Sequence, residues 1–271
     1  MGGGATTINR IQNKFAALRS EKRAALIPFI MGYDPDLATS KALLEALPKA
    51  GADLIEIGIP FSDPMADGPV IQAAGLRALK AGATLKKILA LVADFRTNNQ
   101  ETPIILMGYY NPIYRYGVNQ FCKDASDAGV DGVIIVDVPP EEELEVKPCL
   151  EGSGLSLIRL IAPTSDDARL SRLMDSATGF VYYISITGIT GAATANADEL
   201  TEKLARIRQK TNLPVAVGFG IKTAEQVKQV APLADAVVVG SALVSLIEQS
   251  GKNAVKAASE FVAELARGTK R

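Results

Sequence analysis

The sequence predicts an α/β fold: a closed (β/α)8 barrel of eight parallel strands in a single domain over residues 1–271. Three observations carry this. Eight short runs are almost continuously apolar, as strands buried on both faces are. Segments of helical periodicity separate them, so each strand returns through a crossover to lie parallel to the last. At 271 residues and 48% apolar composition, the chain has the size that one such barrel fills without a second domain.

Residues 1–7, with three consecutive glycines, read as a flexible leader, and 8–20 as an extra amphipathic helix ahead of the barrel. The strand runs are 26–32, 54–59, 103–109, 132–138, 156–162, 180–185, 214–220 and 236–240. Helical patterns cover 36–50, 84–98, 117–128, 141–151, 166–176, 198–210, 223–230 and 253–267, and a short helix at 243–249 precedes the last. Asp34-Pro35-Asp36 and Thr223-Ala224-Glu225 supply helix starts, while Gly51, Gly129 and Gly152 stand where helices stop. Two strand-to-helix connections are longer than the others, one from Pro60 onward and one over 186–197. Both read as mobile loops over the strands' C-terminal ends, where this fold binds its ligands.

Composition narrows the function. Lys and Arg number 29 against 30 Asp and Glu, so the net charge of −1 leaves no electrostatic footprint for nucleic acid or an anionic membrane. No stretch reaches membrane-spanning length, and no apolar export signal opens the chain, so a soluble cytoplasmic protein is expected. Cys122 and Cys149 are the only thiols, and nothing in the sequence marks them as a pair, so they read as inert residues in a reducing compartment. Histidine is absent, which removes the commonest general base and metal ligand. No residue pattern suggests a metal cage, so acid/base chemistry rests on carboxylates, Tyr, Lys or Cys.

The stretch from Asp53 to Gly68 carries the strongest functional signal. Glu56 lies in an apolar run with Leu54, Ile55, Ile57 and Ile59, where lost hydration raises a carboxylate's pKa and suits it to proton transfer. The run breaks at Gly58 and Pro60 into a turn bearing Asp63 and Asp67. A lone glutamate there would equally well cap a helix or pair with a surface cation. Late in the chain, Gly218 and Gly220 follow the seventh strand, and Gly240-Ser241 follows the eighth and runs straight into a helical pattern. In this architecture those loops form the usual phosphate site, where glycine lets backbone amides approach the anion at a helix start; Gly188 and Gly191 offer further amides. The same glycines also suit tight turns. Together they favour a phosphorylated small metabolite whose reacting end lies near Glu56 and Asp67.

The sequence resembles the tryptophan synthase alpha subunit family. The family signature is met in order by Glu56, Gly58, Phe61-Ser62-Asp63-Pro64 and Ala66-Asp67-Gly68. The likeness continues through Pro28-Phe29, Met107-Gly108-Tyr109-Tyr110-Asn111-Pro112, Asp137-Val138-Pro139, Ala162-Pro163-Thr164, Gly188-Ile189-Thr190-Gly191, Gly218-Phe219-Gly220 and Gly240-Ser241. It implies retro-aldol cleavage of indole-3-glycerol phosphate to indole and glyceraldehyde 3-phosphate. By that resemblance Glu56 is the main acid/base, Asp67 accepts the indole N–H, and Tyr182 is the active-site tyrosine of the sixth strand, while Tyr183 points outward. Gly191, Gly220, Gly240 and Ser241 would bind phosphate, and Phe29, Met107, Ile134 and Phe219 would line the indole slot, although such strand-end residues are also ordinary barrel packing.

Thr190 would tie the sixth loop to Asp67 on closure, with Ile186 standing where many bacterial members carry Arg. Asp63, Pro64, Asn111 and Pro139 match positions facing a pyridoxal-phosphate beta subunit in an α2β2 hetero-tetramer, and this chain itself would need no cofactor. A stand-alone lyase releasing indole, as in plant plastids, has the same catalytic residues. A silent barrel that binds a phosphorylated metabolite is the reading from another class, and retention of both carboxylates opposes it.

Overall fold

The computed structural model describes residues 9–184, 193–218 and 220–271. Its strands are β1 Ala25–Met31, β2 Ile55–Gly58, β3 Ile104–Gly108, β4 Gly132–Ile135, β5 Ser156–Leu157, β6 Arg159–Ile161, β7 Val181–Ile184, β8 Val215–Gly218 and β9 Ala236–Val239. All are parallel and lie in one sheet of order β5-β4-β3-β2-β1-β9-β8-β7-β6. The two ends of that order are consecutive pieces of one strand run, interrupted at Ile158. Eight strand positions therefore make a nearly closed α/β barrel, as the sequence predicts.

Parity along the strands separates two cores. Inward residues such as Ala25, Ile27, Leu54, Ile105, Ile134, Ile158, Phe180, Ala216 and Ala236 fill the barrel. Outward residues, Leu26, Ile30, Ile55, Ile57, Leu106 and Tyr183 among them, pack with the helices. The helix Arg10–Ser20 closes the lower end by inserting Ile11, Phe15 and Leu18, one stripe of a helical repeat, with Phe15 and Phe180 ring centroids 5.8 Å apart. Asn9 caps this helix by accepting from the Gln12 amide.

Three local expectations need correction. The long connection after β2 contains a helix, Pro69–Lys80, opened by Gly68 and by proline at its first position. The segment expected as one helix at 141–151 is a 3-10 helix, Pro140–Glu145, then a helix Lys147–Gly152; Val146 departs from helical geometry between them, and Pro148 offers no amide to continue the earlier turn. Cys122 and Cys149 are joined in a disulfide. Consecutive crossovers are neighbours in the outer layer, which sets the two Cα atoms 5.9 Å apart across 27 positions of sequence. The helix after the sixth strand position begins at Ala193, and Ile186, Gly188, Thr190, Gly191 and the leader lie outside the described residues.

At the lower rim, one arrangement recurs three times. Asp53, Asp131 and Asp235 each stand just before a strand, donate their own amide to a carbonyl of the neighbouring strand, and accept that strand residue's amide on the carboxylate. Each carboxylate is held by arginine: Asp53 by Arg23, Asp131 by Arg96 and Arg10, and Asp235 by Arg271 and Arg208. These pairs leave the upper end of the barrel free for chemistry.

Candidate active site

A cavity of about 160 Å³ opens at the strands' C-terminal ends. It is lined by Phe29, Glu56, Asp67, Met107, Tyr182, Gly240 and Ser241 among the residues singled out from sequence. Register explains the meeting. Glu56 on β2 pairs laterally with Phe29 on β1 and Ile105 on β3, all on inward positions one layer above Leu54. Only 2% of Glu56 is exposed. Loss of hydration, reinforced by the nearby Asp67 charge, pushes its carboxyl up to about 8, so it holds a proton at neutral pH.

Asp67 enters from the turn before the helix Pro69–Lys80 and is partly exposed. Burial raises its pKa, whereas a hydrogen bond from the Tyr109 hydroxyl opposes the rise by favouring the carboxylate. The turn is held in place by its own neighbours: Tyr109 Oη accepts the Ala66 amide at 3.0 Å, the Gln72 amide nitrogen donates to the Asp67 carbonyl at 2.8 Å, and the Phe61 and Tyr109 rings lie 5.5 Å apart. Tyr182 projects into the barrel and Tyr183 into the helix layer, following the alternation expected of a strand. Burial and the Glu56 charge raise the Tyr182 hydroxyl's pKa well above its ordinary value, so it remains a proton donor.

Two glycines make room for these side chains. A Cβ at Gly58 would stand 2.6 Å from the Phe29 ring, and one at Gly218 would stand 2.7 Å from the Tyr182 ring and collide with its hydroxyl. Gly240 and Ser241 line the cavity beside Phe29, where the helix Ser241–Ser250 starts with no side chain capping its amides. That end suits an anion.

The remaining sequence candidates fare differently. Ile134 is buried one layer below, inside the barrel core; Val136, two positions nearer the strand end and on the same face, lines the cavity instead. Gly220 is exposed with φ +63° and does not line the cavity, and Phe219, Thr190 and Gly191 lie outside the described residues. Asp63 and Pro139 are exposed and Pro64 half-buried on the turns after β2 and β4, and Asn111 is exposed in the short helix Tyr110–Tyr116 after β3; Met65, Tyr114 and Leu144 expose apolar side chains in the same connections. Sequence reasoning gave no role to Tyr109, although its place at the end of the third strand run put it within reach of the Asp67 turn. Ile59, Ile71 and Val238 also line the cavity; as apolar residues in apolar runs, they carried no signal of their own. Among the described residues, no group of three or more His, Cys, Asp or Glu could hold a metal ion.

Comparisons with known proteins agree with this geometry. The profile of the family described as "Tryptophan synthase alpha chain" matches residues 15–270. A tryptophan synthase alpha chain from Granulibacter bethesdensis is 56% identical over 243 residues, covering 90% of this chain and 87% of that one. The crystal structure of tryptophan synthase subunit alpha from Legionella pneumophila superposes with a TM-score of 0.89 at 38% identity, covering 96% of this chain and 98% of that one. A chain in the aminoacrylate-bound form of tryptophan synthase from M. tuberculosis gives a TM-score of 0.87 at 34% identity, covering 97% of this chain and 100% of that one. The barrel, the buried Glu56 facing Asp67 and these likenesses converge: the chain belongs to the tryptophan synthase alpha chain family, the lyases that cleave indole-3-glycerol phosphate to indole and glyceraldehyde 3-phosphate.

Proposed function

We propose that Glu56 and Asp67 divide the proton transfers of this cleavage between them. The observation that carries the reading is the buried Glu56, whose pKa desolvation raises, sharing one cavity with the more exposed Asp67. Glu56, neutral at the operating pH, delivers its proton to indole C3 while Asp67 takes up the indole N–H. The resulting Glu56 carboxylate then accepts the proton of the adjacent hydroxyl as the carbon–carbon bond breaks. The electron pair of that bond returns to the ring, and the ring nitrogen recovers its proton from Asp67. Both carboxyl groups end as they began, so the chain's own side chains complete the cycle without a cofactor.

Tyr182 donates a hydrogen bond to substrate or to Glu56. Phe29, Met107 and Phe219 hold the indole ring. Gly240 and Ser241, with Gly191 and Gly220, receive the phosphate at the helix start, and Thr190 joins the sixth loop to Asp67 on closure. Asp63, Pro64, Asn111 and Pro139, with their exposed apolar neighbours, form the face that receives a pyridoxal-phosphate beta subunit, to which the indole passes. We place this assembly, an α2β2 hetero-tetramer, in the cytoplasm; among the described residues, no helix is long and apolar enough to cross a membrane.

The test is indole release from indole-3-glycerol phosphate by the purified chain, alone and with a tryptophan synthase beta subunit. Slow release that rises at least tenfold with the partner is expected. Fast release that the partner leaves unchanged would make the chain a stand-alone lyase, and no release in either tube would overturn the roles given to Glu56 and Asp67.

A further inference from the structure

We propose that Cys122 and Cys149 form a reversible dithiol–disulfide site that fastens the crossover after β4 to the crossover after β3. Cys122 lies on the helix Val118–Ala128 and is buried in the outer core with Phe121 and Ala125. Cys149 is half-buried on the short helix Lys147–Gly152. The fold accommodates both oxidation states. Reduced Cys122 is a small apolar side chain in apolar surroundings. The Cys149 sulfur lies 3.6 Å from the Val118 carbonyl oxygen, which accepts its S–H when the bond is open.

The difference in exposure orders the chemistry. The Cys149 thiolate, which reagents can reach, attacks a low-molecular-weight disulfide and displaces one thiol. The Cys122 thiolate then attacks the Cys149 sulfur of the mixed disulfide and displaces the second thiol. The protein loses two electrons and two protons, the reagent gains them, and a small dithiol reverses both steps.

The bond lies in a segment that depends on such ties. Residues 140–152 are a 3-10 helix and a six-residue helix, mostly exposed, with only Val146 and Leu150 fully buried. Polar contacts hold the rest: Glu143 pairs with Arg159 and Lys147, and Tyr110 Oη donates to Glu145 at 3.1 Å. Nearer the cavity, the Tyr110 amide donates to Asp137 at 2.7 Å, and the preceding residue, Tyr109, supports the Asp67 turn. Ser126 Oγ also donates to the Ser153 carbonyl at 2.9 Å, so the disulfide is the one covalent link among several hydrogen bonds between these crossovers. Opening it leaves the segment to hydrogen bonds and its few buried side chains.

The full-length chain equilibrated in reduced and oxidised glutathione mixtures provides the test, with thiols counted by alkylation and mass. The two thiols are expected to disappear together, with a Cys122–Cys149 linked peptide. The oxidised form is expected to be cleaved at least tenfold more slowly within 140–152 by a dilute protease and to melt about 5–10 °C higher, and dithiothreitol should reverse both changes. Cys149→Ser is expected to match the reduced form in every buffer. Separate glutathione adducts without the link, equal cleavage of the two forms, or redox-dependent cleavage of the serine variant would each overturn the proposal. None of these readouts uses substrate or partner, so their failure is separate from failure of the lyase mechanism.

Discussion

Glu56 has to be neutral to give a proton away, and its surroundings keep it so at a cost to the folded state. Its pKa rises from 4.5 to about 8 on folding. Between those values the folded chain binds more protons than the unfolded one, so stability falls as pH rises from about 4.5 through about 8. Glu56→Gln is therefore expected to melt higher than the parent above about pH 8, with the advantage fading towards pH 5; an offset equal at every pH would show that Glu56 is not held protonated. The same variant should keep its fold and lose more than nine-tenths of its lyase rate, a barrier increase above about 1.4 kcal/mol. Gly218→Ala tests the neighbouring tyrosine. The added methyl must displace the Tyr182 ring, so kcat for indole release is expected to fall at least tenfold while stability changes by about 1–3 kcal/mol. Glu56 and Asp67 stand out in the sequence as charged groups in an apolar run and a turn, whereas Tyr182 was marked only by the family resemblance, since the adjacent Tyr183 carries the same hydroxyl. Tyr109 did not stand out, because its importance lies in an amide and a carboxylate more than forty positions away along the chain.

Elements whose burial repeats with one period were the easiest to read. The helix Arg10–Ser20 shows its apolar stripe directly, and its three buried side chains make it a plug for the barrel's lower end. Phe15→Ala removes the ring that meets Phe180 and is expected to cost about 3–5 kcal/mol, seen as a lower denaturant midpoint, while leaving the rate of indole release unchanged where the variant is folded. The helix Pro69–Lys80 escaped the reading because the turn residues before it dominate the segment, and its buried side consists largely of Ala74, Gly75 and Ala78, which give little hydrophobic contrast. The interruption at Ile158 was also hidden, since that residue is as apolar as its neighbours and the break concerns backbone pairing alone.

The nearly closed sheet is not equally strong around its circumference. β1 pairs over four register positions with β9 and over three with β2, whereas β5 meets β4 at only two positions. Amide hydrogen exchange is expected to be fastest, among the strands, in β5 and β6 and slowest in β1, β2 and β9; uniform protection would show that the barrel opens only as a whole. Eight apolar runs were enough to announce the closure, but the seam depends on which carbonyls meet which amides, and side-chain pattern does not record that.

The three aspartates of the lower rim have a further consequence, for how the chain's length can change. Each sits in a helix-to-strand connection and grips the neighbouring strand with both its amide and its carboxylate, so it fixes the number of residues between itself and its own strand. An inserted residue between Asp131 and β4 would either break the grip or turn every side chain of that strand to its opposite face. Insertions in the strand-to-helix loops meet no such constraint. Deletions and duplications are therefore filtered unequally at the two ends of the barrel, and variation in length can accumulate at the mouth while the foot keeps its count.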